Sequence, residues 1–554
     1  MSPVAPAPLS VRLRRSFRRG DQFIWLSGAA LGLALLMISG LLFIVVANGF
    51  AFFWPAPVAT AEMRDGPPLL GVVSDHQAEV RNVEGAVIRA AQTQLKIGNR
   101  ELYGFDFKWM PDTDIKSLTY DPAVIALERQ ENGDFFGFLV DVRHNGAAVA
   151  TGANAWPALH QLRGPARDVA AQAKSLQREK IGEVNAQLQA ARFELRQLND
   201  GATPPTERDP RVAAIAQRVT LLDTQYESLR ARATDLLARS RQDVATFRTI
   251  DGQEKSIPLA DIVRAYQPNA MSTGAKLWHY AGRGFEFITG EPRESNTEGG
   301  VLPAIFGTVA MTIIMSLVVT PFGVITALYL REYAKQGPVV RVVRIAINNL
   351  AGVPSIVFGV FGLGFFVYFI GGGIDRLFFP DALPTPTFGT GGILWASLTL
   401  ALLAVPVVIV ATEESIAAVP RGMREGSLAL GASKFQTICK VVLPASVPGI
   451  LTGVILSMAR GAGEVAPLMI TGVVKLAPEL PFDSSFPFVH LDRKFMHLGF
   501  HIFDVGFQSP NIEAAKPMVF TTTLLLITIV ILLNFAAIRL RDRIRRRFKT
   551  GAFA

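Results

Sequence analysis

The chain has 554 residues, half of them hydrophobic, with 55 Lys and Arg against 46 Asp and Glu and a formal net charge of +9. That length allows several domains. The lone cysteine, Cys439, excludes an intrachain disulfide and a cysteine-based metal cluster and reads as a small apolar residue. The arginines gather at the ends of apolar runs, so the basic balance points to membrane topology and not to nucleic acid.

Arg12, Arg14, Arg15, Arg18 and Arg19 lie in a basic N-terminus, 1–22, ahead of an uncharged apolar run over 23–47. A secretory signal has an apolar core of only about 7–15 residues. This run is long enough to span a bilayer and reads as a retained anchor.

Residues 48–298 form a long polar insert. The part from 69 to 158 reads as β-rich. "ELYGFDFKWM" alternates apolar and polar residues, and "DFFGFLVDVRHNGAAVATG" reads as two strands around an Asn-Gly turn. From 165 to 248 the period changes. Val184, Leu188, Ala191, Leu195 and Leu198 follow a 4, 3, 4, 3 spacing, and Val212, Ile215, Val219, Leu222, Tyr226 and Leu229 repeat it as 3, 4, 3, 4, 3. A Pro/Gly-rich stretch, "NDGATPPTERDP", separates the arms. Two heptad seams around a turn predict an antiparallel coiled-coil hairpin. It reads equally as a spacer or as a docking arm for an external partner.

Five further apolar windows follow, at about 303–330, 347–370, 391–412, 444–470 and 518–538. The expected fold class is mostly α: a polytopic helical membrane protein with about six transmembrane helices and an α+β extracytoplasmic domain. The positive-inside rule orients it. The N-terminal arginines, the bases Arg331, Lys335, Arg341 and Arg344, and seven bases from Arg539 to Lys549 all come to the cytoplasmic side, whereas the short loop 371–390 carries only Arg376. Residues 48–298 then face outward, and the segment 413–443 faces the cytoplasm.

The sequence contains no GxxxxGK[ST], no HExxH and no GxSxG. His497 and His501 stand four apart, but without the glutamate of a zinc helix they read as packing residues, so no metal site is expected. Arg460 and Glu464 stand four apart in the window 444–470, within "SMARGAGEVAPLMITG", which puts them on one face of a continuous helix. Ionisable groups at that depth are costly unless paired or facing an aqueous path. They read either as a structural ion pair or as charges lining a path that suits an anion.

The segment "REGSLALGASKFQTICKVVLPAS" reads as an amphipathic stretch, a glycine, a second amphipathic stretch and a proline stop. It resembles the cytoplasmic EAA loop of ABC importer permeases, with Glu425 opening the motif, Gly431 at its bend, and Leu443 and Pro444 at its end. Gly426 and Ser427 stand where that pattern has two alanines, and Val441 where it has isoleucine. "GGVLPAIFGTVAMT", "NNLAGVPSIVFG" and "ARGAGEVAPLMITG" narrow the resemblance to phosphate-importer permeases of the PstA type, over about 299–545. "RAYQPN" and "PRESNTEGGV" resemble an extended subgroup with an extra N-terminal domain.

The resemblance implies an inner-membrane permease of a Gram-negative bacterium that moves inorganic phosphate by alternating access. It implies a substrate path at Arg460 and Glu464 and a loop at 413–443 that grips the ATPase. It also implies no catalytic residues and no cofactor in this chain, with ATP and Mg held by a separate ATP-binding subunit dimer of the PstB type. The remaining partners it implies are a second permease of the PstC type, a periplasmic phosphate-binding protein of the PstS type, and membrane lipid, with no nucleic acid. A permease for molybdate or sulfate is the neighbouring reading. A signalling or scaffold protein using the coiled coil is the reading from another class.

Overall fold

A computed structural model describes residues 21–550 apart from 84–85, 200–209, 381–382, 384, 478, 484–487 and 510–511. The predicted basic N-terminus and hairpin turn fall almost wholly outside the described residues.

Six helices are long and apolar enough to cross a membrane: Phe23–Ala51, Leu302–Tyr333, Ser355–Phe378, Ile393–Ala417, Lys434–Gly463 and Ile512–Arg546. The first, α1 (Asp21–Ala51), buries only Val45 and Gly49 among its described side chains. A helix apolar on every side and touching protein only at its end is suited to lipid contact.

Between α1 and the remaining spans lies the β-rich part. Strands β1 (Val58–Met63), β2 (Leu69–Val83), β3 (Ala86–Lys96), β4 (Phe107–Pro111) and β5 (Ile115–Thr119) form one antiparallel sheet in the order β4-β3-β2-β1-β5. A second sheet orders β10-β9-β7-β6-β11, with β8 paired to β7. Its strands are β6 (Ile125–Arg129), β7 (Phe135–His144), β8 (Ala147–Thr151), β9 (Asp243–Arg248), β10 (Glu254–Pro258) and β11 (Ile262–Tyr266). The predicted Asn-Gly hairpin joins β7 and β8, with Asn145 and Gly146 at φ 50° and 82°. The alternation over 101–110 is only half strand. Arg100–Tyr103 makes a helical turn, because Asn99 takes a left-handed φ of 53° and its side chain both donates to and accepts from the Phe136 backbone.

The helical arms start earlier and stop sooner than the spacing predicts. The first runs through α2 (Ala155–Ser175), a π-turn at Leu176–Ile181 and α3 (Gly182–Asn199), and the second is α4 (Pro210–Ser240). Leu188, Ala191, Ile215 and Leu222 pack between the arms, flanked by Val184, Leu195, Leu198 and Val219. Residues 243–248, expected at the end of the second arm, are strand β9, whose Phe247 is fully buried in the second sheet's core. Helix α5 (Thr273–Thr289) and the small pair β12 (Pro292–Arg293) and β13 (Glu298–Gly299) lead to the bundle.

In the bundle, α6 (Leu302–Leu328) and α10 (Ile393–Ala417) form the centre. Met311, Met315, Val319, Leu400, Ala404 and Val408 fill the space between them. Thr308, Thr312, Ser316 and Thr320 recur every fourth residue on α6, and each hydroxyl donates to the carbonyl one turn back. Hydroxyls satisfied within the helix can be buried at little cost.

Two expected spans are interrupted. The window 347–370 is not one helix. An amphipathic α7 (Pro338–Leu350) ends, residues 351–354 break the chain, and a new helix begins as α8 (Ser355–Phe361) and continues through a π-segment, Gly362–Gly371, into α9 (Gly372–Phe378). Pro354 cannot donate a helical N–H and biases the residue before it away from helix. The window 444–470 also breaks. Short helix α12 (Lys434–Thr437), a π-turn at Ile438–Val442 and α13 (Leu443–Gly463) form one continuous rod, followed by a separate α14 (Ala466–Thr471). Pro444 is therefore not a stop: it lies in the first turn of α13, where the π-turn re-registers the backbone around its missing N–H. The bundle closes with α15 (Leu498–Phe503) and α16 (Ile512–Thr550).

Candidate functional site

Packing pairs fix the depth of the two breaks. Gly449 lies against Ser415 and Gly453 against Ala411, so α13 runs antiparallel to α10. Continuing that register at about 1.5 Å per residue brings Arg460 level with Ala404, roughly halfway along α10. Gly461 confirms the level by packing on Met315 in the middle of α6, where an added Cβ would stand 2.6 Å from the Met315 Sδ. Helix α8 is also antiparallel to α10: Gly362 meets Thr399 and Phe366 stacks 6.4 Å from Trp395. That register brings Ser355, the first residue of α8, level with Pro406. Arg460 and the start of α8 thus come to nearly the same height, and the break at Glu464 falls level with Leu400, about 9 Å further along α10. The two interrupted spans are also side by side, since Gly359 of α8 touches Pro467 of α14.

Arg460 and Glu464 stand at this junction, but not on one helix as the spacing suggests. Helix α13 ends at Gly463, and Glu464 is its cap with extended backbone, φ −74° and ψ 139°. The pair still meets, Arg460 Nε donating to Glu464 Oε1 at 3.4 Å. That long contact leaves most of the guanidinium fork open, and the Arg460 side chain is 39% exposed. The arrangement offers a cation with free donors at mid-depth, and its guanidinium fork suits an anion. Sequence reasoning missed Ser355 and the start of α8. The Gly352-Val353-Pro354 run was the available signal.

The 413–443 segment forms the second constellation, at the opposite end of α10 from Ile393. Helix α10 reaches Ala417, and α11 (Arg421–Ala429) carries Glu425, which is exposed. Gly431 then takes φ +84° with open space around it, the left-handed conformation that closes α11. Ser433 and Gln436 form a capping box that starts α12. The Ser427 and Thr437 hydroxyls meet at 2.9 Å and tie the two short helices together. Leu443 and Pro444 begin the rod that runs straight to Arg460. Leu430 is 90% and Phe435 67% exposed, so the tip of this elbow is apolar and uncovered. Cys439 is exposed in the π-turn rather than packed.

Braces that the sequence did not suggest hold the elbow. Arg424 donates to Glu332 at 2.5 Å and to the Ile416 carbonyl, and Lys434 donates to the Glu332 carbonyl and sits 4.9 Å from the Tyr333 ring. Arg344 bridges α7 to Glu413 on α10 at 3.3 Å. The contacts to Glu332 and Glu413 join residues more than sixty apart in the chain, beyond the reach of any local pattern. Among the described residues, no group of three or more His, Cys, Asp or Glu side chains is placed to hold a metal ion.

The family of "binding-protein-dependent transport system inner membrane component" proteins matches residues 319–550. A probable ABC transporter permease of Bacillus subtilis, YqgH, is 36% identical over 205 residues, 36% of this chain and 62% of its own length. A second B. subtilis probable ABC transporter permease, YqgI, is 32% identical over 237 residues, covering 42% of this chain and 74% of its own. The phosphate transport system permease protein PstA of Yersinia pestis is 33% identical over 246 residues, covering 44% of this chain and 74% of its own. These matches cover less than half of this chain, and the first spans under two thirds of its relative's length.

Proposed function

The chain belongs to the family of binding-protein-dependent transport system inner membrane components, and on that footing we propose that it is the permease subunit of an ATP-driven importer for inorganic phosphate. It is a multi-pass protein of the inner membrane. The observation that carries the substrate class is the junction of two interrupted spans at mid-depth, with Arg460 presenting free donors there. Discontinuous helices at the middle of a bundle are a recurrent way to build a substrate site. The name of the Y. pestis relative supports phosphate among anions.

The 413–443 elbow is the proposed grip for a separate ATP-binding subunit of the PstB type, which holds ATP and Mg. Gly431 sets the bend, Glu425 and the apolar tip face the partner, and the rod from Leu443 and Pro444 to Arg460 carries its movement to the substrate junction. A rigid helix that joins the two sites is the sort of element through which closure at one end biases access at the other. A second permease of the PstC type faces the junction, and a phosphate-binding protein of the PstS type delivers substrate from outside. The distribution of basic residues supports a cytoplasmic elbow and termini and a periplasmic 48–298. The helical hairpin is proposed as an antiparallel coiled coil projecting on that side.

The test is uptake by the assembled complex in proteoliposomes with ATP inside and binding protein outside. Phosphate accumulation that exceeds sulfate and molybdate is the expected result. Accumulation of sulfate or molybdate without phosphate would assign the neighbouring oxyanion instead.

A further inference from the structure

A cavity of about 560 Å³ lies where α1, α16 and the β-rich part come together. Asn48 and Ala51 at the end of α1, with Pro517 and Phe520 near the start of α16, form its membrane side. Val72, Phe107 and Phe136 form part of the opposite wall. Its height is that of a bilayer surface, because one span ends and another begins there. Helix α5 beside it points the same way: Trp278 and Phe285 are 83% and 70% exposed. Uncovered aromatic residues at the level of span ends are typical of the headgroup zone. The same helix sends Arg283 into the cavity, where its guanidinium lies 5.2 Å from the Phe52 ring.

The cavity wall mixes six aromatic and six ionic residues with smaller apolar and neutral polar ones. Three acids, Asp75, Asp134 and Glu513, and three bases, Lys96, Arg283 and Lys516, line it. A purely apolar ligand would strand these groups away from water, which is costly. A purely anionic ligand would meet no net attraction. A ligand carrying both charges finds a partner for each. Two of the bases are committed: Lys96 pairs with Asp134, and Arg283 with Glu128 at 3.2 Å. Lys516 is exposed and has no carboxylate partner among the described residues. Glu513, one turn away, receives only the neutral Gln94 amide among the described residues.

The route out of the cavity is apolar. Helix α1 meets α16 at Gly49, where Thr521 donates to the Gly49 carbonyl at 3.1 Å, and the helix is otherwise uncovered apart from Val45. A chain leaving the cavity along α1 therefore lies on Leu, Ile and Phe side chains over the depth of the membrane.

We propose that this cavity is a binding site for a zwitterionic glycerophospholipid, with its phosphate on Lys516, its ammonium toward Glu513 and Asp75, and its acyl chains along α1. The bound lipid completes the collar that joins the β-rich part to the first and last spans. The site is independent of the transport reading, since it is read by binding to the chain and not by uptake.

The test is native mass spectrometry of the purified, delipidated full-length chain, titrated separately with phosphatidylethanolamine, phosphatidylglycerol, diacylglycerol and inorganic phosphate. One phosphatidylethanolamine is retained in preference to the other three. Lys516→Ala weakens it about tenfold, the size expected for losing one charge-assisted contact. Ala51→Trp, which fills the cavity from α1, removes it. Should Ala51→Trp fail to fold, the exposed Lys516→Ala decides alone. The proposal is overturned if phosphatidylglycerol or diacylglycerol binds as tightly, if millimolar phosphate displaces the lipid, or if Lys516→Ala binds like the wild type.

Discussion

Gly359 and Pro467 hold two interrupted spans in direct contact: a Cβ on Gly359 would stand 2.7 Å from the Pro467 Cα and 3.3 Å from its carbonyl oxygen. No flexible side-chain end is available to give way. Gly359→Val should force α14 off α8 and cost about 1–3 kcal/mol, the usual range for overpacking. Thermal unfolding in detergent should show the loss, and uptake should fall with it. Gly364, which has open space around it, should accept alanine with no change in either. Equal tolerance at both positions would mean that the junction is loosely packed.

Arg460 should matter for transport more than for folding, because it is partly exposed and its one carboxylate contact is long. Losing a charged donor to a bound anion is worth about 1.5–3 kcal/mol, so Arg460→Ala should slow uptake at least about tenfold while the complex still assembles. Arg460→Lys should recover part of it, since lysine keeps the charge without the planar fork. Uptake by Arg460→Ala at the wild-type rate would remove this residue from the path.

At the elbow, Gly431→Leu should separate ATP hydrolysis from transport. A φ of +84° is strained for any residue with a Cβ, by roughly 1–2 kcal/mol, and the site is exposed, so the effect should be local. Membrane insertion should persist while ATPase stimulation by the binding protein is lost. Arg424→Ala should act in the same direction by freeing α11 from Glu332. A stimulated ATPase in both variants would place the coupling surface elsewhere.

His497 and His501 predict an acid-sensitive fold. His497 Nδ1 accepts from the Gly499 N–H at 3.1 Å, and neither nitrogen of His501 has a hydrogen-bond partner among the described residues. Burial pushes His497 down to about 3 and His501 down to about 4, with Lys475 adding to the His501 shift and Asp504 opposing it. An unfolded histidine titrates near 6.5, so below that pH the unfolded chain binds protons that the folded one refuses. Stability is then complete above about pH 6.5 and declines as pH falls toward about 3. The melting temperature of the purified protein should follow that course, with a shallower decline in His501→Leu. An unchanged slope in His501→Leu would show that other groups drive it.

Much of the bundle was legible beforehand, since a run of twenty apolar residues has few physical alternatives to a span. Each of the six windows overlaps a helix long and apolar enough to cross a membrane, although two of them are broken. The first arm's seam residues meet Ile215, Val219 and Leu222 of the second, because a 3–4 spacing places them on one face. The Asn-Gly turn was equally local. The failures share a cause. Residues 243–248 and 100–103 took their structure from partners far away in the chain, β7 for the first and the Phe136 backbone for the second. Pro444 and Pro354 carry the same local signal, yet one lies inside a continuous rod and the other ends a half-helix.

By itself the sequence determined the number of apolar spans and the apolar spacing of the helical arms, because each depends on composition or on spacings of a few residues. Only the tertiary structure decided that the two interrupted spans touch at Gly359 and Pro467, that Glu464 caps a helix instead of lying on it, and that Arg424 and Lys434 anchor the elbow to Glu332. Those are relations between helices. Their depth and register are fixed by where glycines let backbones touch, as Gly359 does at Pro467, and a linear pattern does not carry that information.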